Sequence, residues 1–168
     1  MSIFQDMLAI KRFRESQAEL AVARERQHHA RALREREQAE LRLVQCRRHA
    51  EHTETSLYEE LCSRVVRVRE IENVLQDVAT LRQAVQQHEQ QLEQVQADLE
   101  RAIQSLAQTR EHHRTASRMT EKFVELARNH SAEQVKAMEY REDMEMEEAA
   151  SVARERDDWE HHGTFEPA

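Results

Sequence analysis

The sequence predicts an all-α protein: a long antiparallel two-helix coiled coil, or α-hairpin, with a partly frayed acidic C-terminal extension. Three observations predict this fold class. One is a sustained apolar repeat in the middle of the chain, another is a composition typical of long helices, and the third is the near absence of helix-breaking residues. Together they predict that the core is the contact between two helices.

The apolar repeat covers residues 71–106. At alternating steps of three and four residues, ten of its eleven positions are apolar and the eleventh is His88. Such a repeat is the seam of a coiled coil, because it keeps one apolar stripe turned towards a partner helix. We call these positions the seam: Ile71, Val74, Val78, Leu81, Val85, His88, Leu92, Val95, Leu99, Ala102 and Leu106. His88 either fixes the register of the two helices or marks a face that the first helix leaves open for docking.

The composition excludes a thick globular core. Of the 168 residues, 39% are hydrophobic, only 4% are aromatic and 35% are charged, which is typical of long helices and coiled coils. The single glycine, Gly163, and the single proline, Pro167, lie in the last six residues. Residues 1–162 therefore lack the two strongest helix breakers.

The first predicted helix begins close to the N-terminus, because Ser2 and Gln5 have the spacing of a capping box. Its predicted apolar face comprises Ile3, Met7, Ile10, Phe13 and Leu20. Further along, the helix is rich in arginine and glutamate. It is too polar to be stable alone, so it needs a partner helix.

The reversal of the chain is predicted at residues 63–70. Arginines alternate there with three β-branched residues, which lower helix propensity: Val65, Val66 and Val68. Residues 52–56 are a second candidate, because Ser56 and Glu59 could cap a new helix. Neither segment contains glycine, so a single unbroken rod that dimerises is a further alternative.

These patterns predict one coiled-coil domain over residues 1–162. It contains a first helix over about 3–62, a connection over about 63–70 and a second helix over about 71–160. Residues 163–168 are predicted to be a flexible tail.

The end of the second helix is strongly acidic. Residues 133–166 hold 12 acidic and 4 basic residues, so this segment is expected to extend past the hairpin as a solvated helix. It carries Trp159 and Phe165, which are either tail residues without a partner or an aromatic anchor for one.

The charge distribution argues against nucleic-acid binding. Residues 1–50 contain 11 basic and 7 acidic residues, a net charge of +4, and residues 51–168 contain 14 and 26, a net charge of −12. This is not a strongly basic surface. Opposite charges on the two parts suit either an antiparallel pairing of the helices or two ends that meet different partners.

The sequence predicts no metal, no cofactor and no enzymatic activity. Cys46, His49 and His52 could face one ion, but zinc needs four ligands and the sequence supplies no second motif. No glycine-rich phosphate loop, nucleophile elbow or H-E-x-x-H sequence is present. Cys46 and Cys62 lie too far apart on one helix for a disulfide, so free thiols are expected.

Three segments carry a resemblance to a known family. Residues 4–12 read FQDMLAIKR, residues 18–24 read AELAVAR, and residues 80–88 read TLRQAVQQH. They resemble the FliJ/YscO family of type III secretion proteins, and the chain is more similar to the YscO branch of the injectisome than to the flagellar branch.

The resemblance implies a monomeric antiparallel hairpin similar to the central stalk of rotary ATPases. It implies binding to the hexameric type III export ATPase, to the cytoplasmic domain of the export gate protein and to secretion chaperones. It also implies a cytoplasmic location at the membrane-associated secretion apparatus, with secretion of the protein itself as an alternative. The competing hypotheses are a generic structural scaffold or homodimeric rod, and an α-hairpin holdase chaperone.

The resemblance also implies site residues. In the flagellar relative, a gate-binding patch lies on one face of the second helix. Asp77 stands here where that relative has an aromatic residue, so the patch departs from the family pattern at its N-terminal edge. The export-gate patch then comprises Leu81, Ala84 and His88, with Leu57, Tyr58 and Leu61 on the first helix. The ATPase contact is expected at Lys11, Arg12 and Arg14.

Overall fold

The structure, a computed structural model, describes residues 3–162. It contains two α-helices, α1 over Ile3–Ser63 and α2 over Val68–His162, and no strand among these residues. The two helices pack against each other as a hairpin, which confirms the predicted all-α fold class. The predicted flexible tail, 163–168, lies outside the described residues.

The chain divides into two compact units. Ser16–Thr115 form one, the central unit, and Met1–Glu15 with Ala116–Ala168 form the other, the terminal unit. Each unit contains part of α1 and part of α2. The single domain over 1–162 stays a prediction.

The reversal in the central unit occupies residues 64–67, inside the predicted connection. The Arg67 backbone N–H donates a hydrogen bond to Glu70 Oε2 at 2.8 Å, and Arg64 Nη2 lies 3.3 Å from Glu70 Oε1. Glu70 is the third residue of α2, so its carboxylate returns to the residue before the helix as in a capping box. α1 continues without interruption through residues 52–56, so the alternative reversal there is wrong, as is the unbroken rod.

Glu70→Ala is expected to lower the stability of the hairpin by about 0.5–1.5 kcal/mol, because it removes the acceptor for the Arg67 N–H. Thermal unfolding followed by circular dichroism measures the change. Glu72→Ala is the matched control, since Glu72 is an exposed glutamate two residues further along α2. An equal loss in both variants would mean that only helix propensity changed.

The seam of α2 faces α1 throughout the central unit. Val78, Ala102 and Leu106 are buried, whereas Ile71, beside the reversal, remains exposed. Most other seam residues, including His88, are half-buried. This burial is what a seam between two helices requires, because a two-helix contact can cover only one stripe of each.

Polar contacts across the pair show that the helices of the central unit are antiparallel. Arg82 Nη2 donates to Glu54 Oε1 at 2.7 Å, and Arg47 Nη2 donates to Glu89 Oε1 at 2.6 Å. Nearer the other end of this unit, Ser105 Oγ donates to Glu25 Oε2 at 3.0 Å. Because the α1 number falls as the α2 number rises, the two helices run in opposite directions.

The predicted apolar face of α1 is wrong. Ile3, Met7, Ile10, Phe13 and Leu20 are all exposed. The residues that α1 buries in the central unit are mostly small: Ala18, Val22, Ala32, Ala39, Leu43 and Ala50. Small side chains reduce the distance between helix axes. The size of the side chains, as well as their hydrophobicity, therefore determines which side of α1 packs against α2.

In the terminal unit the same antiparallel pairing uses aromatic and cationic side chains. The Phe4 and His130 rings lie 4.8 Å apart between centroids, and Lys11 Nζ lies 5.1 Å from the centroid of the Phe123 ring. Beyond His130, every residue of α2 over 131–161 is exposed. The predicted acidic extension is therefore present, and it is α-helical up to His162.

Neither described helix contains a segment long and apolar enough to span a membrane.

Candidate docking surfaces

The candidate sites of this protein are surfaces of its helices. Among residues 3–162, no three His, Cys, Asp or Glu side chains are placed to hold a metal ion. Cys46 is half-buried, Cys62 is exposed and both are free thiols. The grooves along the helices are shallow and lined largely by charged side chains. Such surfaces suit contacts with other macromolecules better than the binding of a small molecule.

The residues expected to form the export-gate patch lie in the central unit, mostly within the helix contact. Leu81 and His88 are half-buried seam residues, Ala84 is half-buried beside the seam, and Leu57 and Leu61 are half-buried on α1. Tyr58, the remaining member, is exposed. Each half-buried residue therefore contributes to the helix pair as well as to the surface.

The cross-helix contacts show which members of this patch lie close together. Leu81 is adjacent to Arg82, which binds Glu54, so Leu81 lies near the turn of α1 that leads to Leu57. His88 is adjacent to Glu89, which binds Arg47, ten residues before Leu57 on α1. The structure thus brings Leu81 close to Leu57 and separates His88 from it.

An ion pair orients the two helices beside Leu81. The Arg82 guanidinium donates a hydrogen bond to the Glu54 carboxylate, and this bond, with the negative charge of Glu54, raises the pKa of Arg82 above its ordinary value. The Arg82 side chain is largely exposed, so the pair stabilises the fold little. Its consequence is positional, because it fixes which turn of α1 faces Leu81.

A set of exposed apolar residues surrounds the reversal, and sequence reasoning did not predict it as a surface, although it placed Tyr58 in the export-gate patch and Ile71 in the seam. We call this set the turn patch: Tyr58, Val65, Val68, Ile71 and Leu75. Val65 is fully exposed and Leu75 is half exposed. The run of valines that was used to predict the reversal could have indicated this surface, because valine side chains at a two-helix turn have little protein to pack against.

The three cations expected to contact the ATPase lie in the terminal unit and have different surroundings. Lys11 is half-buried and packs over the Phe123 ring, so its charge is engaged within the protein. Arg12 and Arg14 are exposed, and Arg12 lines a shallow groove with Glu121 and Glu125 of α2. Arg12 and Arg14 are therefore the members of this group whose side chains are exposed.

A second exposed surface of the terminal unit follows from the corrected face of α1. We call it the α1 stripe: Ile3, Met7, Ile10 and Phe13. These residues recur every three or four positions, so they lie along one side of the helix. The side chains that pack towards α2 are their neighbours Phe4, Leu8 and Lys11. This part of α1 thus has two apolar sides, as in helices with more than one neighbour.

Comparison with known proteins gives two findings. The family described as "Type III secretion protein YscO" matches residues 4–152. The 2.8 Å crystal structure of the type III secretion protein YscO from Vibrio parahaemolyticus superimposes with a TM-score of 0.83 and is 27% identical in sequence. The match covers 87% of this chain and 92% of that one. No curated protein sequence matches the chain.

Proposed function

Because this chain belongs to the YscO family of type III secretion proteins, we propose that it is a non-enzymatic central stalk and adaptor of a bacterial type III secretion system. In this proposal it binds the hexameric export ATPase and the cytoplasmic domain of the export gate, and it contacts secretion chaperones. It works in the cytoplasm, at the membrane-associated apparatus.

The observation that carries the proposal is the antiparallel helix pair itself. In the central unit the pair is held by the seam and by contacts such as Glu54–Arg82 and Arg47–Glu89. A pair of helices with a continuous seam is stiffer than a single helix. Stiffness suits a stalk, because a stalk has to transmit force or position between two partners.

The gate contact is proposed at the export-gate patch, with Leu81, Ala84 and His88 on α2 and Leu57, Tyr58 and Leu61 on α1. The exposed turn patch lies beside it in the central unit and adds apolar surface. Because both surfaces are small, the contact is expected to be weak and reversible. A transient contact suits an adaptor that meets several partners in turn.

The ATPase contact is proposed at Arg12 and Arg14. Lys11, which packs over the Phe123 ring, adds a third positive charge to this end of α1. Exposed arginines can form paired hydrogen bonds with carboxylates of a partner. They also steer association with an acidic surface, such as the lining of a ring.

The test is the addition of the purified chain to the export ATPase encoded beside it, with the hydrolysis rate and complex formation as readouts. The wild-type chain is expected to bind and to raise the rate. Reversal of both charges, in Arg12→Glu with Arg14→Glu, is expected to weaken binding about tenfold, or ~1.4 kcal/mol.

The matched control is the double variant Arg31→Glu with Arg34→Glu, which reverses two exposed arginines of α1 elsewhere. It is expected to bind like the wild type. If the wild-type chain neither binds the ATPase nor changes its rate, the stalk proposal is wrong, and a structural scaffold becomes the better explanation of the hairpin.

A further inference from the structure

The terminal unit carries a long exposed helix with apolar residues on its surface. We call residues 131–161 the overhang; their helical length is about 46 Å. On one side of it lie Val135, Met138, Met146, Ala149 and Val152. Most helical stability in proteins comes from packing of an apolar face, so this face indicates a second helix against the overhang.

The α1 stripe of the same unit has complementary properties. Its residues are well exposed, with Ile3 at 74% and Phe13 at 65%. The surrounding segment, residues 7–14, contains three cations and no acid, a net charge of +3. In the overhang, residues 139–148 contain six acids and one base, a net charge of −5. Each surface is thus apolar, exposed and opposite in charge to the other.

We propose that both surfaces are covered by a second copy of this chain, the overhang of each copy packing along the α1 stripe of the other. A single twofold axis relates the two contacts, so the interface is closed and uses the same residues on both copies. The axis is perpendicular to the helices, since only then does an overhang reach the α1 stripe of the other copy. Because α1 and α2 are antiparallel within the terminal unit, each overhang is then parallel to the partner copy's α1.

The parallel arrangement determines which residues of the overhang lie level with residues of the α1 stripe. When residue 131 of one copy lies level with Ile3 of the other, equal helical rise places Val135 level with Met7 and Met138 level with Ile10. The same register places residues 139–142, which include two glutamates, level with residues 11–14. Two apolar pairs thus meet, Val135 with Met7 and Met138 with Ile10, and Glu142 lies level with Arg14.

The size of the surfaces sets the strength of the dimer. In this register Val135 and Met138 face the α1 stripe, while Met146, Ala149 and Val152 extend past Phe13, so each copy contributes far fewer than the roughly 20–30 residues a side of a stable interface. The expected dissociation constant is therefore on the order of micromolar. Since opposite charges contribute, the affinity is expected to fall as salt shortens the range of electrostatic attraction.

The dimer does not depend on the proposed function, and it has a consequence for it. Arg14 lies on the same side of α1 as the α1 stripe, whereas Arg12 lies on the opposite side, in the groove with Glu121 and Glu125. A second copy would therefore cover Arg14 and compete with the ATPase for part of the proposed contact. Self-association is measured without the ATPase, so failure of one proposal is distinguishable from failure of the other.

The first experiment is sedimentation of the full chain over about 1–200 micromolar, a range that brackets the expected constant. The expected result is a concentration-dependent monomer–dimer equilibrium. Ile10→Glu is expected to raise the dissociation constant at least tenfold. Leu41→Glu is the matched control, since Leu41 is a comparably exposed apolar residue of α1 in the central unit. A chain that stays monomeric throughout overturns the proposal.

The second experiment exchanges the charges. One variant carries Arg14→Glu and the other carries Glu142→Lys, because the proposed register places these two residues level with each other. Each alone should be monomeric, because like charges then face each other, whereas an equimolar mixture should form a heterodimer with both contacts restored. Circular dichroism checks that both variants remain helical. Dimers of either single variant, or a mixture that stays monomeric beside a dimeric wild type, would show that these residues do not form the interface.

Discussion

Replacing Ala102 with aspartate is expected to destabilise the helix pair of the central unit by about 3–5 kcal/mol. Ala102 is 1% exposed and lies on the seam. A carboxylate at this position would lose its hydration without gaining a partner, and the larger side chain would force the two helices apart. Urea or thermal unfolding followed by circular dichroism measures the loss.

Ala107→Asp is the matched control for this prediction. It is the same substitution on the same helix, five residues later and at an exposed position. Its effect should stay within about 0.5 kcal/mol, as is usual for surface substitutions. Equal losses from the two variants would mean that helix propensity, rather than contact with α1, determines the stability of this segment.

The second large effect is expected in binding to the export gate. Leu81→Asp and His88→Asp are each expected to weaken binding of the gate's cytoplasmic domain at least tenfold, or ~1.4 kcal/mol, while the helical content is retained. The reason is that a charge replaces part of the apolar docking surface. Calorimetric titration measures the affinity, and circular dichroism measures the helical content.

The turn patch supplies the discriminating variant. Leu75 is exposed and lies outside the residues carried over from the family, so Leu75→Asp can alter docking without altering the helix contact. If the Leu81 and His88 variants lose helical structure and Leu75→Asp alone loses binding with its helices intact, the gate contact lies on the turn patch. Leu41→Asp, at an exposed leucine of α1 away from the reversal, should bind normally.

Much of the fold could be predicted from the sequence, because its determinants are local. The 3-4 repeat of α2 lies within one helix, and the β-branched run lies at the reversal. The residues that carry the family resemblance also lie in short segments. The cap from Glu70 to the Arg67 N–H, by contrast, joins residues three apart and was missed, because acidic residues are frequent throughout this chain.

The candidate sites could be predicted only in part, because exposure depends on both helices. Lys11 was expected among the ATPase contacts with Arg12 and Arg14, yet it packs over Phe123, more than a hundred residues away in sequence. The gate patch was read from one face of α2, yet most of that face also contacts α1. Residues that dock a partner and residues that pack against the other helix recur at the same spacing, so the sequence alone does not distinguish them.

The sequence by itself determined that this protein consists of long helices and favoured residues 63–70 for the reversal, since propensity and periodicity act along one helix. The structure decided between this segment, residues 52–56 and an unbroken rod. Only the tertiary structure decided which side of α1 is inside. Hydrophobicity favoured Ile3, Met7, Ile10 and Phe13, but in the terminal unit α1 packs towards α2 with Phe4, Leu8 and Lys11 and leaves those four exposed. In the central unit the buried side of α1 consists mostly of small residues, because close approach of two helices favours small side chains, and this preference exists only when the second helix is present.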